Sequence, residues 1–189
     1  MMKEAARTEM EQDRGLAGEL VKGAVAGALA TWAMGKVTTF LYEHEGEAAR
    51  RREERARGGR YSYEVAAEKL GRLVGAELDE GARRRLGSAL HWLMGIGAGA
   101  AYAALRRRFA ALHAGHGLGF GTGFFLAVDE GANTALGLTP PPRAFPWQAH
   151  ARGLAGHVVY GLTADAALHA LDALGRHTPS ADGERPWSA

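Results

Sequence analysis

The sequence predicts an all-α fold: a polytopic membrane helix bundle with about four transmembrane helices and a helical extramembrane hairpin between the first and the second. Charge segregation is the first observation, because twelve of the nineteen arginines lie at 50–60, 83–85 and 106–108. The second is that long Gly- and Ala-rich stretches between these blocks carry almost no Lys or Arg. A soluble Ala-rich bundle, which is the alternative, would spread its charges along every helix. Gly/Ala-rich runs of about 20 residues are also not barrel strands.

Composition narrows the classes of function and partner. The 189-residue chain is 47% hydrophobic, has 27 Gly and no Cys, and has a formal net charge of +2. The lack of Cys excludes disulfides, thiolate nucleophiles and Cys-ligated metal sites. The weak positive excess gives no reason to expect nucleic acid as a partner. We therefore expect the lipid bilayer as the main partner, with a multi-pass location in the inner (cytoplasmic) membrane.

The chain divides into a polar N-terminal tail at 1–15, one membrane-embedded helical domain at 16–175, and a disordered C-terminal tail at 176–189. Residues 43–85 are charged and are expected to form helices outside the membrane. The clearest span is 86–105, which has no formal charge and is bracketed by arginine triplets. Its length matches the hydrocarbon thickness of about 30 Å.

The other spans carry more polar residues. The first apolar segment is flanked by Lys22 and Lys36, whose side chains can snorkel to the membrane surface. The third span, 115–138, contains two adjacent acids, and the fourth covers 149–175. Between these two lies a turn with four of the six prolines of the chain. Because proline cannot continue a helix, this turn ends the third span.

Glycines at four-residue spacing mark two faces for close helix packing. Gly23 and Gly27 lie in the first span, and Gly95 and Gly99 lie in the second. Small residues at this spacing let two helix backbones approach closely in a membrane. These faces open a structural alternative, in which the protein is a membrane subunit that forms a homo-oligomer or binds a membrane partner.

Polar residues within the apolar spans are the candidate site. They are His91, Asp129, Glu130, Asn133, His157, Asp165 and His169. A carboxylate at bilayer depth costs about 2.5–3.5 kcal/mol, so such groups usually face the bundle interior and have a partner. Along the fourth span the polar positions fall within about a third of the helix circumference at 100° per residue.

Three interpretations of this cluster stay open. The residues can form structural hydrogen bonds between helices, or they can relay protons or bind a small solute, because neighbouring carboxylates and imidazoles titrate near neutrality. The third is metal or haem binding, for which His91 and His157 are the first choice. The acids Asp129 and Glu130 can either face His157 or lie at the membrane surface near the proline turn. No cofactor is expected, and no nucleophile elbow, Walker loop or zincin motif indicates an enzyme.

The segment LGLTPPPRAFPWQ at 136–148, followed by GHVVYG at 156–161, resembles the C-terminal part of the YagU-like inner-membrane proteins, a bacterial family of unknown function. Residues 23–35 and 91–103 are similar in kind, whereas 43–85 and both tails are not covered. The residues that carry the resemblance are Gly137, Leu138, Thr139, Pro140, Pro141, Pro146, Trp147, Gly156 and His157. The resemblance implies an integral inner-membrane protein and no established activity.

Overall fold

The computed structural model describes residues 2–177, and every regular element in that range is helical. The α-helices are α1 (Met2–Glu43), α2 (Glu47–Arg57), α3 (Ser62–Leu73), α4 (Glu80–Leu105), α5 (Ala110–His113), α6 (Leu118–Phe124), α7 (Asn133–Ala135) and α8 (Trp147–His177). A π-helix, Phe125–Ala132, joins α6 to α7, and a 3-10 turn, Pro142–Ala144, precedes α8. The predicted all-α class is confirmed.

The long segments form an antiparallel bundle in which α1 packs against both α4 and α8, and α6 packs against α8. The first part of α1 meets the end of α8, because Lys22 contacts Asp172. The later part of α1 meets the start of α8, where a Cβ added at Gly156 would collide with the side chain of Thr38. All four segments therefore run alternately up and down, and α8 contributes side chains to both ends of the bundle.

The contact between α1 and α4 depends on the predicted glycines. A Cβ at Gly23 would lie 2.6 Å from the Gly99 carbonyl oxygen, and one at Gly27 would lie 2.5 Å from that of Gly95. No side chain fits between backbones this close. The two faces thus pack against each other inside one chain. The sequence suggested that these glycine faces join two chains. The structure uses them between α1 and α4 of one chain, so the same atoms are not free for a contact between chains.

The interior of the bundle is built from small and polar residues. The buried core cluster contains only one large aliphatic side chain among the residues that the structure describes. Its members are Ala26, Ala30, Tyr102, Ala103, Tyr160, Ala164 and Leu168. Thr31, His157 and Asp165 are also buried. Close packing of small residues, with a few hydrogen-bonded polar groups, is typical of helix association in lipid.

Large apolar side chains cover the outside instead. Exposed examples on the four long segments are Val25, Leu29, Trp32, Leu93, Leu126, Leu154 and Leu162. Leu93 has 65% of its surface exposed. One helix in the described part of the chain, Gly15–Glu43, is long and apolar enough to cross a membrane by length and composition. The arrangement with four spans stays a prediction.

The 43–85 segment, called the hairpin here, contains two helices, α2 and α3, joined by residues 58–61. The helix α3 packs on the start of α4, where a Cβ at Gly87 would lie 3.1 Å from the backbone nitrogen of Glu64. Residues 2–15, predicted as a separate tail, continue α1 without a break. The predicted disorder at 176–189 falls outside the described residues from 178 onward, and α8 continues to His177.

Candidate functional site

The third long segment is not a regular α-helix. After about two turns of α6 it widens into the π-helix Phe125–Ala132, which carries both Asp129 and Glu130. A π-helix is rare and appears frequently at functional sites, because its wider turn places side chains where an α-helix cannot. The two acids thus lie on the least regular part of the bundle.

Asp129 faces His157, which was the first of the two positions predicted for the acids. The distance from Asp129 Oδ2 to His157 Nδ1 is 3.7 Å, and the Asn133 amide donates a 3.4 Å hydrogen bond to Asp129 Oδ1. The His157 side chain is buried, and its Nδ1 lies 2.9 Å from the Gly153 carbonyl oxygen. An imidazole and a carboxylate at this separation need only a small movement to exchange a proton.

A cavity of about 340 Å³ adjoins this pair. Asp129, His157 and His91 line it, together with Tyr63 from α3 and Tyr160 from α8. The Tyr63 ring meets the His91 ring edge-on at 5.1 Å. Burial, reinforced by the charge of Asp129, raises the pKa of Tyr63 to about 12. The hairpin between α1 and α4 therefore supplies part of the cavity wall.

Glu130 lies near the proline turn, which was the second of the two positions predicted for the acids. His150 Nδ1 lies 2.6 Å from Glu130 Oε1, and His150 Nε2 lies 3.0 Å from the Pro142 carbonyl oxygen. Both ring nitrogens face acceptors, which a doubly protonated imidazole satisfies by donating twice. Sequence reasoning missed His150, although it lies seven residues before His157 and therefore on the same face of α8.

Asp165 and His169 belong to a second polar site, so the prediction of a single cluster is wrong. Asp165 follows His157 by eight residues, which is about 12 Å along an α-helix. Its carboxylate is 2% exposed and accepts a 2.6 Å hydrogen bond from the Tyr102 hydroxyl. Three histidines surround it, with Nδ1 atoms 3.3, 3.8 and 3.6 Å from its oxygens: His113, His116 and His169.

An aromatic layer lies between the two polar sites. The Phe124 ring contacts His157 at 5.1 Å and Tyr160 at 5.5 Å, and Phe120 stacks on Tyr102 at 4.7 Å. The Tyr160 hydroxyl donates a 2.5 Å hydrogen bond to the Gly95 carbonyl. These packed rings separate the Asp129–His157 pair from Asp165 and its histidines.

The residues of the 136–161 signature mostly shape the end of the bundle near Glu130. Gly137 adopts a left-handed conformation, with φ of 62°, where the third segment ends. Thr139 and Pro140 line a cavity of about 280 Å³ together with Asp129 and Glu130. Leu138 lines an apolar groove, and Pro141 precedes the 3-10 turn. Pro146 is buried just before α8 begins, and Trp147 at the start of α8 is exposed.

No group of three or more His, Asp or Glu side chains with the geometry to hold a metal ion occurs in the described part of the chain. No family model, curated protein or solved structure matches this chain.

Proposed function

We propose that the protein is a multi-pass inner-membrane helix bundle that moves protons, or a small solute linked to protons, through its interior polar groups. The resemblance to the YagU-like family supports the same location and names no activity. The proposal has two parts, a place in the membrane and a role for the interior.

The distribution of side-chain types supports the membrane. Water-soluble bundles bury leucine and valine and expose charge, whereas here Ala, Gly, Tyr, His and Asp are buried and large apolar residues are exposed. Lipid tails would cover the exposed Leu, Val and Trp side chains without cost. The polar groups in the bundle interior lower the mean hydropathy of α4 and α8. Both helices are nevertheless long enough to cross a bilayer.

The observation that carries the interior role is the Asp129–His157 pair on the π-helix, beside a cavity. A purely structural pair would be expected in full hydrogen-bond contact with no adjoining space. At 3.7 Å the two groups lie outside hydrogen-bonding distance, and the cavity has room for water molecules or a small solute. Asp129, His157 and His91 all line this cavity.

The aromatic layer supports translocation in steps. A permanently open path would let ions leak, whereas the packed rings of Tyr102, Phe120, Phe124 and Tyr160 close the middle of the bundle. A proton or solute held at Asp129 would then reach Asp165 only when these rings move. The π-helix next to Phe124 is the segment that would permit such a movement.

The alternative, a structural or partner-binding membrane subunit, lost part of its support when the glycine faces were found to be used within the chain. Oligomerisation through another surface stays open.

Flux in proteoliposomes tests the proposal. The purified protein, reconstituted with a pH-sensitive dye inside the vesicles, should dissipate an imposed proton gradient faster than empty vesicles. Asp129→Asn and His157→Gln should each reduce the rate to that of empty vesicles, because each removes one member of the pair. Glu77→Gln is the control, since it removes an exposed carboxylate of the hairpin.

Equal flux in wild type and both variants, with unchanged helical content, would refute the relay role. Recovery of the full-length protein as a soluble monomer without detergent would refute the membrane placement itself.

A further inference from the structure

A cavity of about 870 Å³ lies at the end of the bundle away from Glu130. Its walls come from the end of α4, the loop around α5 and the end of α8. The basic residues that line it are Arg106, Arg107, Arg108, His113, His116, His169 and Arg176. Asp172 is the only carboxylate among its lining residues.

The charges of this pocket do not balance. The Asp172 carboxylate accepts a 2.6 Å hydrogen bond from Arg106 Nη2 and also pairs with Lys22, which in turn contacts Glu19. Arg107 lies 3.7 Å from Asp172 and 3.9 Å from Glu19, which already have these partners. Within residues 15–176, neither Arg108 nor Arg176 has an ion pair. The pocket therefore carries surplus positive charge from three arginines.

Arg106 adds a buried, unsatisfied donor. Its side chain is 6% exposed, and its Nε has no hydrogen-bond partner among the residues that the structure describes. A buried donor without a partner costs free energy. Because this nitrogen has almost no accessible surface, a ligand in the pocket would contact the exposed Arg107 guanidinium instead. Arginine presents its donors in a planar fork that matches the oxygens of phosphate.

The histidines of the pocket are held with one nitrogen toward the wall. His113 Nδ1 lies 3.3 Å from the Asp165 carboxylate, and His169 Nδ1 lies 3.1 Å from the Asp165 main-chain oxygen. The two rings stack at 5.9 Å. Their Nε2 atoms have no hydrogen bond in the described part of the chain, and because each Nδ1 faces an acceptor, Nε2 donates to an anion when the ring is doubly protonated.

The loop that carries His116 holds a strained backbone. Gly115, His116 and Gly117 follow one another with φ of 61°, 57° and 91°. A non-glycine residue in the left-handed region costs free energy and persists where surrounding contacts enforce it, commonly beside a ligand site. A Cβ at Gly117 would collide with the Gly161 backbone, so the loop is anchored tightly on α8.

We propose that this pocket binds a phosphate-bearing anion, either the headgroup of an anionic phospholipid or free phosphate. The surplus arginines supply charge and donors at the pocket surface, the buried Arg106 holds Asp172 at its wall, and the histidines donate from Nε2 in their doubly protonated form. The volume is within the range of small-molecule sites, about 300–1,000 Å³. The site does not rest on proton movement at Asp129 and would stand if that role failed.

The test compares the wild-type protein with the Arg107→Gln/Arg108→Gln variant and with Arg52→Gln/Arg55→Gln. The second pair is the matched control, because it removes two exposed arginines at the opposite end of the bundle. Retention of phosphatidylglycerol or phosphatidylcholine is measured by native mass spectrometry, and binding of inorganic phosphate by calorimetry in a chloride buffer of equal ionic strength.

Wild type should retain phosphatidylglycerol over phosphatidylcholine, or bind inorganic phosphate, and the arm that responds identifies the source of the phosphate. Affinity should fall about fivefold for each arginine removed from the pocket and stay unchanged in the control pair. The proposal is overturned if wild type binds neither probe, or if both double variants weaken binding equally. Circular dichroism checks that helical content is the same in all three proteins.

Discussion

Glu53 and Arg152 are 99 residues apart in the chain, yet both Glu53 carboxylate oxygens lie 2.7 Å from Arg152 Nη2. The contact joins α2 to the first turns of α8. Glu45 also pairs with Arg152, and the guanidinium lies 5.0 Å from the centre of the Tyr42 ring. The charged hairpin is thus tied to the bundle by an ion network at the end where Asp129 and Glu130 lie.

This network should be a large contributor to stability. Arg152→Gln leaves the carboxylates of Glu53 and Glu45, which are 6% and 11% exposed, without their main cation. Breaking a buried ion pair from one side costs about 3–5 kcal/mol. Urea unfolding in detergent micelles, followed by circular dichroism, should show this loss.

The control for that experiment is Arg51→Gln, because Arg51 and Glu47 form an ion pair that is mostly exposed. Exposed pairs contribute only about 0–1 kcal/mol. Similar destabilisation in both variants would show that the Arg152 network has no special role.

Gly99 and Gly97 lie two positions apart on α4. We expect replacement by alanine to have opposite effects on stability at the two positions. A Cβ at Gly99 would collide with the backbones of Gly23 and Gly27, so Gly99→Ala should force α1 and α4 apart and cost about 1–3 kcal/mol or more. Gly97 has open space around it, and Gly97→Ala should be neutral or stabilise by up to about 1 kcal/mol.

Thermal unfolding of the two glycine variants in the same detergent measures this difference. A Gly99→Ala protein as stable as wild type would contradict the close contact between α1 and α4.

The burial of Tyr63 should make the stability of the protein depend on pH in the alkaline range. Its pKa rises from 10.0 to about 12 because the side chain is buried and because Asp129 is nearby. Since the unfolded chain loses this proton first, the contribution of Tyr63 to stability is present below pH 10 and declines as pH rises toward 12. Tyr63→Phe should remove that part of the decline.

Absorbance titration of the phenolate band gives the direct measurement. The difference between wild type and Tyr63→Phe should contain one tyrosine that ionises later than the phenol of a free tyrosine. Tyr61→Phe, which removes an exposed tyrosine two residues away, should leave that late component in place. Loss of the late component in Tyr61→Phe instead would refute the assignment to Tyr63.

Much of the helical framework could be predicted because its signals are local. The arginine triplets beside 86–105 predicted the location of α4, and the prolines predicted the break before α8. Gly23, Gly27, Gly95 and Gly99 predicted a close helix contact.

The site could be predicted only in part. The residues His91, Asp129 and His157 do line one cavity. Asp165 and His169 were assigned to it because they share a face of α8, but sharing a face does not shorten the distance along the helix axis. His113 and His116 were missed because they lie in a short loop, where no periodicity indicates direction.

The sequence by itself determined the all-helical class, the approximate places of the long segments and the turn that separates the last two. It also identified the glycines at which two helix backbones can approach closely. These properties follow from composition and spacing within one segment. Only the tertiary structure decided that the glycine faces meet inside the chain, that Asp129 faces His157 while Glu130 pairs with His150, and that a layer of rings separates two polar sites. The π-helix changes the angle between successive side chains, and the relative positions of helices depend on contacts between distant residues, so no local pattern contains them.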